Sequence, residues 1–346
     1  MSELANPMFS RQVNRPSILI ATPEDGVLTQ MAYSIPFATL SQEKLEWRLV
    51  FEAHLQRSDL AGVDCLILCR CSNSATLSVV RFARHHGIKV LYELDDNLLE
   101  PPLDEEWGRR YSQSCRPRVI ELLLDESDLI KAGSPELARR LLRRGYRAIY
   151  QPYAINLLPL QPERVTPPYR VGYFGTRHHR SDLNRIFPAL LKVEETLGPK
   201  VEFQFIGCHP DRWEKLRHAK VQGPITDYQK FLTELASSGW TLGLAPLRPS
   251  SFNQAKSDSK FRDLSAAGVV GIYADVAPYR NTIRQGVNGW LCGDDPQEWY
   301  RTIMRSLASP HRRKMLENAR AQLLERNHPT IIANQWLSLI QELFHV

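Results

Sequence analysis

The composition of this chain is that of an ordinary globular protein. With 346 residues, the chain is long enough for two domains with full cores. Its hydrophobic content of 43% and charged content of 24% are ordinary for a globular protein. The net charge of +6 is compatible with nucleic acid, an anionic membrane surface or a phosphate-bearing substrate, and equally with a solvated surface of mixed charge. No apolar run reaches the length of a membrane span, and Met1–Pro16 has no continuous apolar core, so we expect a short flexible arm there and not a secretory signal.

Several function classes lack their defining sequences. The chain has no Gly-x-Gly-x-x-Gly and no P-loop, which argues against dinucleotide dehydrogenases and P-loop nucleotidases. It has no helix-turn-helix, RNA-recognition or zinc-finger pattern, so we expect no nucleic-acid partner. Its six cysteines include no Cys-x-x-Cys pair, which favours reduced thiols in a cytoplasmic protein over a disulfide framework or a zinc site.

In the first part of the chain, strands alternate with helices, the pattern of a parallel α/β sheet. Ser134 has the chemistry of a helix cap, and Pro117 predicts a break or a fresh helix start. Apolar runs predict strands over Ser17–Thr22, Trp47–His54, Gly62–Cys71, Ile88–Leu94, Asp128–Ala132 and Ala148–Tyr153. Helical patterns cover Ala75–His86, Asp104–Asp125 and the segment from Pro135 to about Gly145.

The second part repeats this pattern after a proline-rich stretch. The four prolines at 159, 162, 167 and 168 predict an interdomain linker. Strands are predicted over Tyr169–Phe174, Val201–Ile206, Leu242–Leu247 and Val269–Tyr273. Helices are predicted over Asp182–Leu197, Asp227–Ser237, Pro310–Arg326 and Ile331–Phe344, with further helix starts after Asn253 and at Ala277.

A polar segment between two of these strands predicts a ligand site. At helical spacing, Asn253, Lys256, Lys260 and Asp263 share one face. Two cations and one carboxylate beside a strand's carboxyl end suit a ligand that carries both phosphate and ribose. The alternative is a solvated helix face with an i, i+3 ion pair. The polar flanking loop, with Asn253 and two serines, favours the ligand site.

Two other strand ends carry chemistry. After Phe174 comes Gly175-Thr176-Arg177, whose backbone N–H groups and positive charge predict an anion site, with an ordinary tight turn as the alternative. After Leu94 come Asp95 and Asp96, candidates for a general base, with helix capping as the alternative. A metal-binding role for these acids is the weaker interpretation, so we expect no metal.

The second part of the chain resembles a known family. The run Asn253–Gly268, the sequence Gly175-Thr176-x-x-His179-x-x-Asp182 and the runs 286–289 and 295–299 are similar to the C-terminal domain of nucleotide-sugar glycosyltransferases of the GT-B fold. The similarity is to retaining family four, also called glycosyl transferases group 1, and it covers residues 169 to about 309. It implies an α/β fold of two Rossmann-like domains that face each other across a cleft. Residues 1–158 would bind the acceptor, residues 169–330 the nucleotide sugar, and residues 331–346 would form a helix that returns to the first domain.

The resemblance also implies an activity and site residues. It implies a metal-independent hexosyltransferase, without a cofactor, that transfers sugar from a nucleotide-diphosphate sugar to a saccharide or lipid-linked acceptor, as in bacterial surface polysaccharide biosynthesis. Asp96, with Asp95 beside it, would be the catalytic base. The diphosphate would contact Gly175, Thr176, Arg177, His179, Lys256 and Lys260; Asp263 would bind ribose; Asn253, Tyr279, Ile225 and Tyr228 would lie near the donor sugar or base.

Two positions depart from the family pattern, and alternatives stay open. Asp263 replaces the usual Glu, a conservative change for a ribose contact, whereas Ala255 replaces a Glu that many relatives place near the reacting sugar. Retaining chemistry is therefore not implied. A nucleotide-sugar epimerase of the same architecture and a non-catalytic nucleotide-sugar-binding protein are the alternatives. Basic clusters at 81–86 and 139–147 could contact the inner face of the membrane or be solvated faces.

Overall fold

The computed structural model of the protein describes residues 15–41, 43–162 and 166–344. Within these residues, twelve strands form two parallel sheets, one in each half of the chain. The predicted arm Met1–Pro16 lies outside the described residues except for its last two positions. In the ranges described, no helix combines the length and the apolar character that crossing a membrane requires.

The first sheet has the strand order β2-β1-β3-β4-β5-β6. Its strands are β1 (Ser17–Thr22), β2 (Glu46–Phe51), β3 (Cys65–Cys69), β4 (Lys89–Leu94), β5 (Leu129–Ala132) and β6 (Ala148–Tyr150). The central strands are almost wholly buried, as expected when helices cover both faces of a parallel sheet. The order reverses between β1 and β3, so a ligand crevice is expected at the carboxyl ends of these two strands.

The second sheet has the order β12-β11-β10-β7-β8-β9. Its strands are β7 (Tyr169–Phe174), β8 (Val201–Ile206), β9 (Ala219–Gln222), β10 (Leu242–Ala245), β11 (Gly271–Ala274) and β12 (Trp290–Cys292). Counted from β7, this is the strand order of the doubly wound dinucleotide-binding fold, and its switch point lies between β7 and β10.

Helices pack on both faces of each sheet. In the first half they are α1 (Val27–Thr29), α2 (Ile35–Phe37), α3 (Thr76–His85), α4 (Glu106–Ser112), α5 (Arg116–Asp125) and α6 (Pro135–Arg143). In the second half they are α7 (Arg180–Leu197), α8 (Tyr228–Ser237), α9 (Ser251–Gln254), α10 (Ser259–Ala266), α11 (Ala277–Arg280), α12 (Pro296–Ala308), α13 (Arg312–Asn327) and α14 (Pro329–Phe344).

Local capping explains several helix starts. The hydroxyl of Ser134 accepts a hydrogen bond from the backbone N–H of Leu137 at 3.0 Å, as predicted for the start of α6. The helix predicted over Asp104–Asp125 is divided, and its second part starts at Arg116, next to Pro117. Helix α12 was not predicted from the sequence, although Asp295 caps it with Pro296 in the first turn, the same signal that identified α6.

The last helix returns to the first half of the chain, as predicted. Helix α14 packs against α2, and the indole N–H of Trp336 donates to the carbonyl oxygen of Ala32 at 2.8 Å. The Trp336 ring lies 5.4 Å from Tyr33 and 5.9 Å from Phe37. This aromatic contact buries the whole Trp336 side chain and fixes one half of the protein against the other. The domain boundaries themselves remain a prediction.

Candidate active site

A buried lysine lies beside the carboxyl end of β7, at the switch point of the second sheet. Lys260, in α10, donates a hydrogen bond from Nζ to the carbonyl oxygen of Phe174 at 2.6 Å. Gly175 follows, and a Cβ at this position would lie 2.5 Å from the Tyr173 hydroxyl and 3.2 Å from Lys260 Nζ. Only glycine fits there without displacing these groups, so the backbone can stay close to the lysine.

The turn after Gly175 presents mixed polar groups. Thr176 and Arg177 are exposed, and one 3₁₀ turn, Arg177–His179, leads into α7. His179 Nδ1 lies 2.8 Å from Asp182 Oδ2. Burial lowers the pKa of His179, Asp182 raises it, and the nearby Lys256 and Lys260 lower it further, with a net decrease. The imidazole is therefore neutral near pH 7 and lies within electrostatic range of both lysines.

The predicted continuous helix face over Asn253–Asp263 is wrong, because the helix is interrupted. Helix α9 ends at Gln254 and α10 begins at Ser259. Ser250 caps the first helix, while Asp258, at the start of the second, pairs with Arg326 at 2.6 Å. Lys260 and Asp263 do share α10, but Asn253 belongs to α9 and Lys256 lies in the link between the helices.

Lys260 and Asp263 are buried, which excludes the solvated helix face. Their exposed fractions are 7% and 6%. Burial lowers the pKa of Lys260 to about 8, against the opposing effect of Asp263. Burial also raises the pKa of Asp263, although Arg262 and Tyr228 oppose it. Tyr228 donates to Asp263 Oδ1 at 2.7 Å and Arg262 Nε lies 3.4 Å from the same oxygen, so a network holds this carboxylate in place.

The other residues predicted near the donor sugar or base are buried or half-buried. The amide of Asn253 donates to the carbonyl oxygen of Arg248 at 3.1 Å and is buried. Tyr279 is buried in the short helix α11, with its ring 5.2 Å from Tyr273. Ile225 is half-buried between β9 and α8. The roles of Asn253, Tyr279 and Ile225 near a donor sugar or base stay predictions.

Three carboxylates at the end of β4 have different partners. Asp96 forms an ion pair with Lys256, whose Nζ lies 3.3 Å from Oδ1 and 3.2 Å from Oδ2. Asp95 pairs instead with Arg70, with 3.1 Å between Nε and Oδ1. Glu93 points into the core and pairs with Lys131 at 2.7 Å. Asp96 thus contacts the second half of the chain, whereas Asp95 and Glu93 pair with residues of the first half.

The two aspartates differ in proton affinity. Burial raises the pKa of Asp95, and Arg70 lowers it without cancelling that increase. For Asp96, burial also raises the pKa, but Lys256 and Arg70 together outweigh burial and the net shift is downward. Near neutral pH, Asp96 is therefore a carboxylate held by its lysine. In the described residues, no three His, Cys, Asp or Glu side chains are grouped as a metal site would require.

Arg70 is a further candidate site residue that the sequence did not indicate. It follows β3 at the switch point of the first sheet and has φ of 56°, the one non-glycine residue with a positive φ in the described chain. Such strain tends to accumulate at functional sites, because the surroundings must hold the residue in place. Here Asp95 holds the side chain, while the backbone N–H donates to the Glu93 carbonyl at 3.1 Å. No feature of the sequence around Arg70 signals this conformation.

Further contacts hold the segment 248–256 against the first half. The Ser134 hydroxyl donates to the carbonyl oxygen of Ala255 at 2.6 Å, and Ala255 is fully buried in the core of the first half. Arg248 lies 3.0 Å from Glu105. Beside Lys256, a small pocket open to solvent lies between the two halves. Its polar lining includes Ser134, Tyr150, Lys256, Asp258 and Arg326.

The basic clusters of the first half are mostly paired with acids. Arg139, Arg140 and Arg143 all lie within 3.6 Å of Glu136. Arg81 and Arg84 lie 2.9 and 3.7 Å from Glu126. These pairs reduce the net positive charge that the clusters offer to a lipid surface, so contact with a membrane stays a prediction.

Comparison with known proteins identifies the fold. No family model matches the sequence, and no curated protein matches it. HepE from Anabaena, in complex with UDP, is 13% identical, with 94% of this chain and 100% of that one covered and a TM-score of 0.66. Sucrose-phosphate synthase from Thermosynechococcus elongatus is 15% identical, with 96% and 100% covered and a TM-score of 0.66.

A third similar structure comes from Listeria monocytogenes, in a protein to which UDP-N-acetylglucosamine 2-epimerase activity is ascribed. It is 12% identical, with 96% of this chain and 97% of that one covered and a TM-score of 0.58. At such identities the likenesses show the fold alone. The chain has the GT-B fold, with two Rossmann-like units and a returning terminal helix, which confirms the predicted fold class.

Proposed function

We propose that this protein is a glycosyltransferase that moves a hexose from a nucleotide-diphosphate sugar to a saccharide or lipid-linked acceptor. The observation that carries the proposal is the ion pair between Lys256 and Asp96. It lies where the carboxyl ends of the strands of both sheets are close to each other. A protein with a similar fold, HepE, forms one complex with UDP-glucose and another with UDP and glucose. Assembly of a bacterial surface polysaccharide is the setting we propose.

On the donor side, positive groups would neutralise the leaving diphosphate. Lys260 is fixed beside Gly175 at the switch point, and Lys256 is close enough to influence its pKa. Arg177 adds a further positive charge in the same turn, and Thr176 and the neutral His179 add groups that can form hydrogen bonds. Lysines and backbone N–H groups at fixed positions can stabilise the charge that develops as the glycosidic bond to the nucleotide breaks. Asp263, held by Tyr228, would accept hydrogen bonds from ribose hydroxyls.

On the acceptor side, Asp96 would remove the proton of the attacking hydroxyl. The oxygen of the acceptor hydroxyl would then bond to the anomeric carbon as the nucleoside diphosphate leaves. The hydroxyl proton would pass to the carboxylate of Asp96. Ala255 supports a departure from the retaining relatives, since it has no carboxylate and its side chain is buried in the first half. Asp95, paired with Arg70, would position the loop that carries Asp96.

An epimerase is the second candidate, because one similar fold belongs to a protein to which that activity is ascribed. The experiment that separates the candidates begins with thermal shifts across nucleotide sugars, since a ligand that binds the folded state raises its melting temperature. The sugar that binds is then supplied alone and with saccharide and lipid-linked acceptors. Turnover that needs an acceptor supports transfer, whereas conversion of the donor alone supports epimerisation. Binding without turnover under any condition indicates a non-catalytic nucleotide-sugar-binding protein.

Metal dependence is tested in the same assay. Two lysines beside the proposed diphosphate site would supply the positive charge, so we expect transfer to continue in the presence of EDTA. Loss of turnover with EDTA, restored by manganese, would place a metal among the acids after β4. That result would also move the donor site away from Lys256 and Lys260.

A further inference from the structure

One ion pair joins residues to which the proposed function gives opposite tasks. Lys256 would bind the donor diphosphate and Asp96 would accept a proton from the acceptor. In this structure, however, the two side chains form an ion pair with each other. Lys256 is positioned by its neighbours, since its Nζ lies 4.8 Å from the Phe252 ring. The side chains of Lys256 and Asp96 are 18% and 25% exposed, so solvent and ligands can reach both.

The surroundings of the pair allow an exchange of partners. On one side Lys256 lines the pocket between the halves, so its side chain is not fully enclosed by protein there. Lys260 and His179 are near enough to Lys256 for its charge to lower both their pKa values. A diphosphate carries more negative charge than one carboxylate, so it competes well for a lysine whose present partner is partly hydrated.

We propose that the Lys256–Asp96 ion pair is a latch between the two substrate sites, which the donor diphosphate opens by taking Lys256 from Asp96. The proposal rests on the proposed function and adds an order to it. Without donor, the ammonium of Lys256 stabilises the Asp96 carboxylate, so that it is a weaker base for the proton of an acceptor hydroxyl. With donor bound, Lys256 faces the diphosphate and Asp96 loses its ion pair, so the carboxylate becomes a stronger base when the leaving group is in place.

The latch predicts that removing the carboxylate tightens donor binding, because the diphosphate no longer has to displace it. The probe is UDP, or the nucleoside diphosphate selected by the thermal-shift screen, and affinity is measured by titration calorimetry. Asp96→Asn should bind the probe roughly 2- to 5-fold more tightly than the wild type, as expected for a partly exposed ion pair. Asp104→Asn is the matched control. It weakens another ion pair between the same halves, that of Asp104 with Arg248, and should leave the affinity unchanged.

A double-mutant cycle separates the latch from simple repulsion between Asp96 and the diphosphate. If the latch exists, Asp96→Asn does not change nucleotide affinity in a Lys256→Gln background, because that variant has no Lys256–Asp96 ion pair for the diphosphate to break. An equal gain in both backgrounds would mean repulsion alone and would overturn the latch. So would unchanged affinity in Asp96→Asn, or a gain in Asp104→Asn. If no nucleotide binds the wild type, the proposed function fails together with the latch.

Discussion

Lys260 Nζ lies 2.6 Å from the carbonyl oxygen of Phe174, at the end of the strand from which the order of the second sheet diverges. The ammonium also lies 4.6 Å from the Tyr173 ring and 4.5 Å from the Phe174 ring. A lysine held by a carbonyl oxygen and two aromatic faces loses little mobility when an anion arrives. The position of the Lys260 ammonium is thus fixed before an anionic ligand binds.

Replacing this lysine should weaken donor binding. Lys260→Met removes the charge and keeps most of the side-chain volume, and we expect UDP binding to weaken by about 1.5–3 kcal/mol, the worth of a charge-assisted hydrogen bond. Titration calorimetry measures the change. Lys314→Met, on an exposed position of α13 with 73% of its side chain accessible, is the control and should bind as the wild type does. Equal affinity of Lys260→Met and wild type would remove Lys260 from the donor site.

Donor binding should also depend on pH through the same residue. Since burial lowers the pKa of Lys260 to about 8, the free protein loses this charge as the pH rises through that value. UDP affinity should therefore fall above pH 8 by up to about tenfold per pH unit, and Lys260→Met should not show this decrease. In the absence of ligand, the effect of this residue on the free energy of unfolding has the opposite dependence on pH. Between about pH 8 and 10 the unfolded chain holds the extra proton, so this group makes the free energy of unfolding rise with pH.

The ends of the strands show how far the sequence can predict this fold. The bounds of β1, β7 and β8 match the predictions. Strand β1 is an almost continuous apolar run, and β8 begins with alternating apolar and polar residues, so each has a recognisable strand pattern. Strands β9 and β12 were not predicted. Ala219–Gln222 is an exposed edge strand with a single large apolar residue, and β12 spans three residues, so neither has the length or pattern of a strand signal.

The site was predictable in its chemistry and not in its pairings. Cations and carboxylates at strand ends can be identified from spacing alone. The break between α9 and α10 cannot, because partners distant in the sequence stabilise it, including Ser134 on Ala255 and Arg326 on Asp258. Likewise, nothing local predicts that Asp96 would face Lys256, 160 residues away.

The network around Asp263 should govern recognition of ribose. Asp263→Ala should weaken binding of UDP by about 1.5–3 kcal/mol and binding of its 2′,3′-dideoxy analogue much less. Tyr228→Phe removes the hydroxyl that donates to Asp263 at 2.7 Å, and it should have the same selective effect at about 0.5–1.5 kcal/mol. Calorimetry with both nucleotides provides the comparison. Equal losses for the two nucleotides would contradict the ribose role.

The buried pair Glu93–Lys131 should matter for stability. Both side chains are fully buried, the ammonium lies 4.0 Å from the Tyr153 ring, and Tyr33 donates to the other carboxylate oxygen. Lys131→Met leaves an uncompensated carboxylate, and we expect the free energy of unfolding in urea to fall by about 3–5 kcal/mol. The double variant Glu93→Leu/Lys131→Met should lose less, because no buried charge remains unpaired. A double variant as unstable as the sum of the single variants would show that the pair is not coupled.

Asp96 is the residue on which the proposed chemistry depends most. Asp96→Asn keeps the size of the side chain and removes the proton acceptor, so we expect transfer to slow by about 100- to 10,000-fold. The same variant should bind UDP at least as tightly as the wild type, which distinguishes a lost base from a damaged site. The anomeric configuration of the wild-type product, determined by NMR, should be inverted, because one base acting on the acceptor gives a single displacement. A fully active Asn variant or a retained configuration would leave Asp96 with a structural role, as the partner of Lys256 between the two halves.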